Sequence, residues 1–580
     1  MAPSPKPTDS TAPPEAGWGL DPFAARIREA LAEALGADTA TLQLERPRRE
    51  GLGEFSLPTF RHAKEAGRNP AELAAELAAS LTIPEVTAAA AGPFLNFTVE
   101  PAALARVVLE QARRRDYGRA AEGRVTLVEF SSPNIAKPMH IGHLRSTVIG
   151  AALARLHEWL GHEVVRINHV GDWGSQFGKL VAAWRRWGSE QALEADPIGH
   201  LLELYVRYHE EEEGDPTLAE EAKRAFRELE SGEEAETRLV WKRFTELSMR
   251  EFQKVYDRLG VEFDHVRGES WYEDQLEAVI RLLEERGVIE ESEGARIVRL
   301  DEFGIETPCL VQTAHGTTLY ATRDLAAALS RWNEFHFDQA LYVVGAEQTL
   351  HFRQFRAVLL RCGEVWAERL EHVPFGLIRL AEGKLSTRKG RVLKLEEVLD
   401  RAVELAREAV EAKNPDLEDK ALAAERVGVG AVVFHDLKHQ RVKDVVFDWN
   451  EVLSFEGDTG PYLQYTHARC ASILRKAGRS APPAAEVDAA LVAEEAHELL
   501  VELGRMPQAI REAAREREPM LLARSLLRIA AAGNAWYKDH RVLGAETPAL
   551  EDARLAVVEA LVNGLALGLG LLGVPAPEEM

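Results

Sequence analysis

Two stretches of alternating strand-like and helix-like sequence restrict the folds open to this chain. In the first, a strand-like segment at 124–130 is followed by a helical pattern that ends at Gly161 and by a second strand-like segment at 163–170. The second stretch has strand-like segments and helical patterns in turn, at 308–313, 322–332, 339–345, 350–361 and 372–380. Strands joined by helices pair side by side and parallel, in the doubly wound manner. The sequence therefore predicts an α/β fold with a Rossmann-type parallel sheet split by an insertion.

Further units flank this predicted sheet. Residues 1–20 are rich in proline and read as a disordered tail, and residues 21–120 as a small α+β domain. The sheet domain spans 121–395, with a helical insertion around 185–300. A helical connection at 396–455 and an all-helical domain at 456–580 follow. Within the insertion, residues 203–238 carry 13 acidic and 5 basic side chains, which is typical of a solvated helical surface.

Composition excludes several classes of protein. Among 580 residues, 70 Lys and Arg oppose 94 Asp and Glu, and the net charge of −24 argues against nonspecific nucleic-acid binding. A local basic face and a cationic small substrate both remain open. The cysteines, Cys309, Cys362 and Cys470, are too far apart for a CxxC zinc motif or a disulfide framework, which favours a reducing compartment.

Membrane insertion is not expected from this sequence. The amino terminus lacks the apolar core of a secretory signal. The most apolar run, 560–574, is shorter than the roughly 20 residues that span a bilayer and contains Asn563. Its GxxxG spacing, Gly564 to Gly568, predicts close packing of helices in a protein core.

The strongest chemical signal is the segment 130–146, FSSPNIAKPMHIGHLRS. It leads from a predicted strand through a loop into a helix whose first turn contains His140, Gly142 and His143. The amino end of a helix favours phosphate, two imidazoles add donors, and glycine leaves room for a nucleotide. By themselves, two histidines three residues apart could also be structural residues or metal ligands, although no HExxH-like partner is nearby.

This segment resembles the HIGH signature of class I aminoacyl-tRNA synthetases, and its flanks resemble the arginyl family. A second segment in the expected order, KLSTRKG at 384–390, is similar to the KMSKS loop that closes over ATP phosphates. The resemblance implies that Lys384, Ser386 and Arg388 lie at those phosphates. Thr387 stands where many synthetases have a lysine, and the family implies that Lys137 supplies the missing charge.

The resemblance also implies the substrate contacts. A guanidinium is matched best by carboxylates, and Tyr320 and Asp324 resemble the family's guanidinium ligands. Without the resemblance, Asp324 reads as a residue that complements a helix dipole. The remaining contacts implied for arginine are Glu129, Ser132, Asn134 and Gln348. VVGAEQTLH, at 343–351, resembles the class I ribose-binding element, so Gly345 and Glu347 are expected at ATP.

The carboxyl-terminal domain is expected to contact RNA. Its segment 455–478 carries Tyr462, Tyr465 and Arg469, and aromatic residues beside cations suit unstacked bases. Two tyrosines three apart on a helix also fit core packing. The resemblance implies that this domain binds the anticodon and that residues 21–120 contact the tRNA elbow.

The resemblance as a whole implies an arginine–tRNA ligase. It would use ATP with Mg²⁺, L-arginine and tRNA(Arg), without a tightly bound metal or organic cofactor, as a cytoplasmic monomer. Two rivals remain. One is a class I enzyme with another substrate, which the acids of the arginine site disfavour. The other is a non-catalytic RNA-binding paralogue, which would be expected to have lost one of the two signature motifs.

Overall fold

The computed structural model describes residues 17–49, 51–231, 235–314, 319–380 and 393–580. The helices are α1 Asp21–Leu35, α2 Phe60–Glu65, α3 Pro70–Ser80, α4 Pro101–Ala112, α5 Ile141–Trp159, α6 Ser175–Trp187, α7 Glu190–Ala195, α8 Pro197–Glu212, α9 Pro216–Ser231, α10 Ala235–Leu259, α11 Leu276–Glu285, α12 Tyr320–Phe335, α13 Thr349–Arg361, α14 Leu395–Lys413, α15 Lys420–Leu437, α16 Trp449–Val452, α17 Gly460–Ala477, α18 His497–Arg515, α19 Met520–Asp539 and α20 Pro548–Leu571. The strands are β1 Phe55–Pro58, β2 Val86–Ala91, β3 Phe94–Val99, β4 Val125–Glu129, β5 Glu163–Asn168, β6 His265–Val266, β7 Glu290–Ser292, β8 Ala295–Leu300, β9 Ile305–Gln312, β10 Gln339–Tyr342, β11 Leu370–His372, β12 Ile378–Leu380 and β13 Val445–Phe447.

Five strands form the predicted parallel sheet, in the order β11-β10-β4-β5-β6. Successive residues of β4 face different cores: Leu127 packs with β5 and helices α11 to α13, whereas Val128 packs with α5. Burial on both faces explains why apolar residues occupy successive positions of this strand instead of alternating with polar ones. The chain moves outward from β4 to β6 and later returns to β10 on the other side of β4. This reversal creates a crevice at the carboxyl ends of β4 and β10, where ligands bind in such sheets.

The segment 308–313 is a strand, as predicted, but it does not join the parallel sheet. It belongs to β9, which pairs antiparallel with β8 in the separate sheet β7-β8-β9. The insertion is therefore not wholly helical. Glu293 and Gly294 both have positive φ, 53° and 80°, between paired strands β7 and β8. Two such residues in succession form the tight turn of a hairpin.

Two other strand predictions also need correction. The single strand expected at 372–380 is divided into β11 and β12, with Pro374 and Gly376 between them. Proline cannot donate to a strand ladder, so it interrupts the run. The region after residue 395 is helical as predicted except for β13, which pairs with β12.

Helices α17 to α20 form the carboxyl-terminal bundle, and Gly564 and Gly568 of α20 lie at its helix contacts. A Cβ atom at Gly564 would stand 2.8 Å from Leu503, and one at Gly568 would stand 2.3 Å from Leu526. Within the described part of the chain, α20 alone is long and apolar enough to cross a membrane, and 67% of its apolar window is buried inside the protein. Its apolar surface is thus largely used in packing.

Candidate active site

The loop after β4 is held in an unusual backbone conformation at the crevice. Ser131, Ser132 and Ala136 have φ of 72°, 49° and 63°, in the left-handed region that non-glycine residues rarely occupy. The Ser131 N–H donates to Ser146 Oγ at 2.9 Å, and that hydroxyl donates to the Val343 carbonyl at 2.7 Å. Strain of this kind persists where surrounding contacts enforce it, and it concentrates at functional loops.

His140 and His143 together cap the amino end of α5. His140 Nδ1 accepts the Gly142 N–H at 3.0 Å, and His143 Nδ1 accepts the His140 N–H at 3.0 Å. Burial lowers the pKa of His140, and burial together with His140 lowers the pKa of His143 to about 3. Both rings are therefore neutral at pH 7. Because each Nδ1 is an acceptor, each ring carries its proton on Nε2, which can donate to a phosphate oxygen.

The residues that follow the second signature segment lie against this helix start. The Ile141 N–H donates to the Leu393 carbonyl at 3.3 Å, and the Leu395 N–H donates to the Met139 carbonyl at 2.9 Å. Lys384, Ser386 and Arg388 themselves fall in 381–392, outside the described residues. The residues that follow this segment, Leu393 and Leu395, nevertheless hydrogen-bond to the backbone on either side of His140.

Asp324 lies on α12, where two histidines from other elements approach its carboxylate. Oδ2 is 2.5 Å from His351 Nε2 on α13, and Oδ1 is 3.9 Å from His169 Nε2 at the end of β5. Tyr320, at the start of α12, is 63% exposed, and Gln348 is also exposed. Three elements thus converge on one carboxylate.

Glu129, at the carboxyl end of β4, has a cationic partner within the chain. Its Oε2 lies 2.5 Å from Arg331 Nη1, and the side chains are 7% and 1% exposed. A buried carboxylate needs such compensation. The negative charge of Glu129 is thus already opposed by Arg331, whereas Asp324 is partnered only by histidines among the described residues.

Ser132 and Asn134 occupy the strained loop. Ser132 Oγ is buried and has no hydrogen-bond partner among the described residues. Asn134 forms a parallel bridge with Gly171, where a Cβ atom would stand 2.3 Å from Asn134 Oδ1. Glycine at 171 therefore permits the Asn134 side chain to lie against the backbone that follows β5.

The remaining described residues expected at ATP lie on two other segments. Gly345 bridges to Phe375 just after β10, and Glu347 is exposed on the short turn that follows. Lys137 Nζ lies 5.5 Å from the centre of the Tyr205 ring on α8. The Lys137 ammonium thus faces an aromatic ring of the insertion in this structure.

Comparisons with known proteins show the family. The sequence matches the family described as tRNA synthetases class I (R), catalytic domain, over residues 105–449. It is 43% identical to the arginine–tRNA ligase of Clostridium acetobutylicum over 96% of this chain and 99% of that protein. It is 44% identical to that of Latilactobacillus sakei, over 95% and 98% of the two chains.

The chain belongs to the arginyl-tRNA synthetase family. The solved structure of the Thermus thermophilus arginyl-tRNA synthetase superposes with a TM-score of 0.83 at 30% identity, covering 96% of this chain and 100% of that one. The predicted family and fold class are thereby confirmed. Residues 22–99 match the arginyl-tRNA synthetase amino-terminal domain, and residues 463–580 match the DALR anticodon-binding domain.

The expected RNA-contacting residues of this synthetase family differ in their surroundings. The Tyr462 hydroxyl accepts from Asn534 Nδ2 at 2.9 Å, and Arg469 donates to Asn534 Oδ1 at 2.6 Å, so both are engaged inside the bundle. Tyr465 is 37% exposed, and Lys413 Nζ lies 4.7 Å from its ring centre. Tyr465 is thus the most accessible of the three to a base.

Several polar residues of the synthetase crevice were not predicted from the sequence. They include Arg331, His169, His351 and Glu269. Glu269 Oε2 is buried and has no hydrogen-bond partner among the described residues. Burial, opposed by Arg323 and reinforced by Asp324, raises the pKa of Glu269 to about 8. A strand-end position was the available signal for His169, and His351 is the last residue of the segment 343–351 that was assigned to ribose binding. Arg331 is a single helix residue with no local pattern.

Proposed function

We propose that the crevice around His140, His143 and Asp324 is the active site of an arginine–tRNA ligase. The chain joins arginine to tRNA with ATP, as the arginine–tRNA ligases to which it is 43–44% identical along nearly their whole length indicate. One observation carries the assignment of the crevice. The phosphate-donor end of α5 and the Asp324 carboxylate both stand at the carboxyl edge of the sheet.

In the first step, an arginine carboxylate oxygen attacks the α-phosphorus of ATP. A new oxygen–phosphorus bond forms, and the bond to pyrophosphate breaks. His140 and His143 donate from Nε2 to phosphate oxygens, and the positive end of α5 favours the charge that develops there. Lys137, Lys384 and Arg388 neutralise the departing pyrophosphate, with Ser386 beside them. ATP is used as its Mg²⁺ complex.

The amino acid is selected at the other side of the crevice. Asp324 and Tyr320 receive the guanidinium, with Glu129 and Gln348 beside them. Ser132 and Asn134 contact the α-amino and carboxylate groups. Gly142 and Gly345 leave space for the nucleotide, and Glu347 faces its ribose. These contacts hold the reacting groups together, so no covalent enzyme intermediate is required.

In the second step, the 2′-hydroxyl of the terminal adenosine attacks the adenylate carbonyl, and AMP leaves. Residues 21–120 contact the tRNA elbow, and residues 456–580 contact the anticodon through Tyr465, Tyr462 and Arg469. Residues 121–395 carry the chemistry. The enzyme acts as a monomer in the cytoplasm.

Asp324→Asn tests the assignment. Removal of one charge from a desolvated guanidinium site costs about 2 to 5 kcal/mol, so the arginine KM should rise while the ATP KM stays near normal. The measurement is arginine-dependent pyrophosphate exchange into ATP in the presence of tRNA. Asp416→Asn, an exposed substitution in the loop between α14 and α15, is the matched control. An unchanged arginine KM and kcat in Asp324→Asn would remove Asp324 from the site.

A further inference from the structure

We propose that His351 is a positioning residue for arginine selection, which orients Asp324 toward the substrate and weakens the contact when protonated. The inference rests on the proposed role of Asp324. It starts from the 2.5 Å contact between His351 Nε2 and Asp324 Oδ2. No other described side chain makes so short a contact with this carboxylate.

The surroundings of His351 fix its ring. It lies in the first turn of α13, with its ring centre 5.7 Å from that of Phe352 and 6.0 Å from that of Phe355. A neutral ring that donates from Nε2 occupies one lone pair of Oδ2 and leaves the full negative charge on Asp324. Oδ1 and the second lone pair of Oδ2 then remain for a guanidinium, which binds carboxylates through two parallel hydrogen bonds.

Protonation of His351 changes this balance. Burial opposes the charged ring, but the hydrogen bond and charge of Asp324 outweigh it and raise the pKa of His351 above its ordinary value. A protonated His351 cancels the charge that a guanidinium would otherwise meet. Arginine and the proton therefore compete, and arginine affinity falls as pH falls through this pKa.

Other titratable groups face the same pair. They are His169, Glu269, Cys309, Tyr342 and His372. Burial raises the pKa of Cys309 to about 12 and lowers that of His372. Glu269, with a pKa of about 8, gains charge as pH rises and adds to arginine affinity at high pH. All of them are retained when His351 alone is replaced, so a variant isolates the contribution of His351.

The test is calorimetric titration of L-arginine into the full-length enzyme with tRNA, between pH 7.5 and pH 6. Wild-type affinity should fall by about fivefold or more over this range, a coupling of ordinary size. His351→Gln keeps a donor near the Nε2 position. This variant should retain most of the arginine affinity at pH 7.5, and its affinity should change little between pH 7.5 and pH 6. His351→Ala should bind weakly at both pH values, also without the decline.

Matched controls separate the outcomes. His209→Gln replaces a half-exposed histidine of the insertion and should keep the wild-type decline. If folded His351→Gln shows the wild-type pH dependence, the positioning role is overturned while the proposed function stands. If Asp324→Asn binds arginine as the wild type does, Asp324 does not belong to the proposed arginine site, and this inference fails with that assignment.

Discussion

At the scale of single residues, the crevice contains ionisable groups whose charge states are set by different surroundings. His140 and His143 stay neutral because they are buried and cap a helix, and Glu129 is opposed by Arg331. Glu269 is different, because burial leaves its Oε2 without a partner among the described residues. Its carboxyl is therefore largely protonated at pH 7.

Replacement of Glu269 tests this state through stability. The folded pKa of about 8 lies above the ordinary 4.5, so the folded protein binds a proton that the unfolded chain releases. The contribution of Glu269 to wild-type stability should therefore decline as pH rises from 4.5 to 8. Glu269→Gln should unfold near the wild-type temperature at pH 5. At pH 8.5 it should be about 2 to 4 kcal/mol more stable.

Thermal unfolding followed by circular dichroism at the two pH values makes this measurement. Glu291→Gln, an exposed substitution on β7, is the control and should follow the wild type. Parallel pH profiles for wild type and Glu269→Gln would show that Glu269 is already ionised in the folded protein.

At the scale of elements, the position of α5 decides where the two histidines stand. The helix packs directly on the residue that follows β4. A Cβ atom at Gly150 would stand only 2.2 Å from Phe130 Cβ, so a larger residue does not fit without a shift. Glycine weakens a helix by about 1 kcal/mol relative to alanine. Close approach of the helix to the strand end explains a glycine at this position.

Gly150→Ala should thus destabilise the protein despite the better helix propensity of alanine. Overpacking costs about 1 to 3 kcal/mol, and displacement of α5 should lower the rate of arginine-dependent pyrophosphate exchange as well. Urea unfolding and the exchange rate measure the two effects. Gly570→Ala, in α20, is the control: the added Cβ atom has no neighbour within 4 Å, so this substitution should be neutral or stabilising. Equal stability of Gly150→Ala and wild type would mean that β4 and α5 are not tightly coupled.

The sequence predicts such elements well where one local pattern determines them. The run at 124–130 and the helix after His140 lie close to β4 and α5. It predicts β9 as a strand but not its antiparallel partner, because apolar patterning reports an extended segment rather than its neighbour. The pairs Glu129–Arg331 and Asp324–His351 join residues far apart in the chain, and only the fold brings them together.

At the scale of the whole molecule, the domains are joined by polar contacts. Arg113, after α4, lies 2.7 Å from Glu559 on α20 and donates to the Pro482 carbonyl at 2.7 Å. Its own carbonyl accepts from Asn563 Nδ2 at 2.9 Å. Because the Arg113 side chain is only 12% exposed, these contacts are shielded from water.

Arg113→Met should loosen the attachment of α4 to the carboxyl-terminal bundle. Loss of hydrogen bonds from a charged, largely buried donor costs about 1.5 to 3 kcal/mol. We expect a lower unfolding temperature by calorimetry and faster proteolysis near residue 113. Arg61→Met removes an exposed pair with Glu65 and should change stability by less than about 0.5 kcal/mol. A loss no larger than that of Arg61→Met would argue that this contact contributes little.

The domain at the start of the chain docks on helices near its end. Asp21 lies 2.7 Å from Arg511, 490 residues later, and Leu20 donates to the Gly504 carbonyl at 3.0 Å. At translation rates of about 5 to 20 residues per second, roughly 25 to 100 s separate the synthesis of these partners. During that interval the nascent first domain stands on the ribosome with its docking face uncovered. Chaperones therefore have their longest access to this face before synthesis is complete.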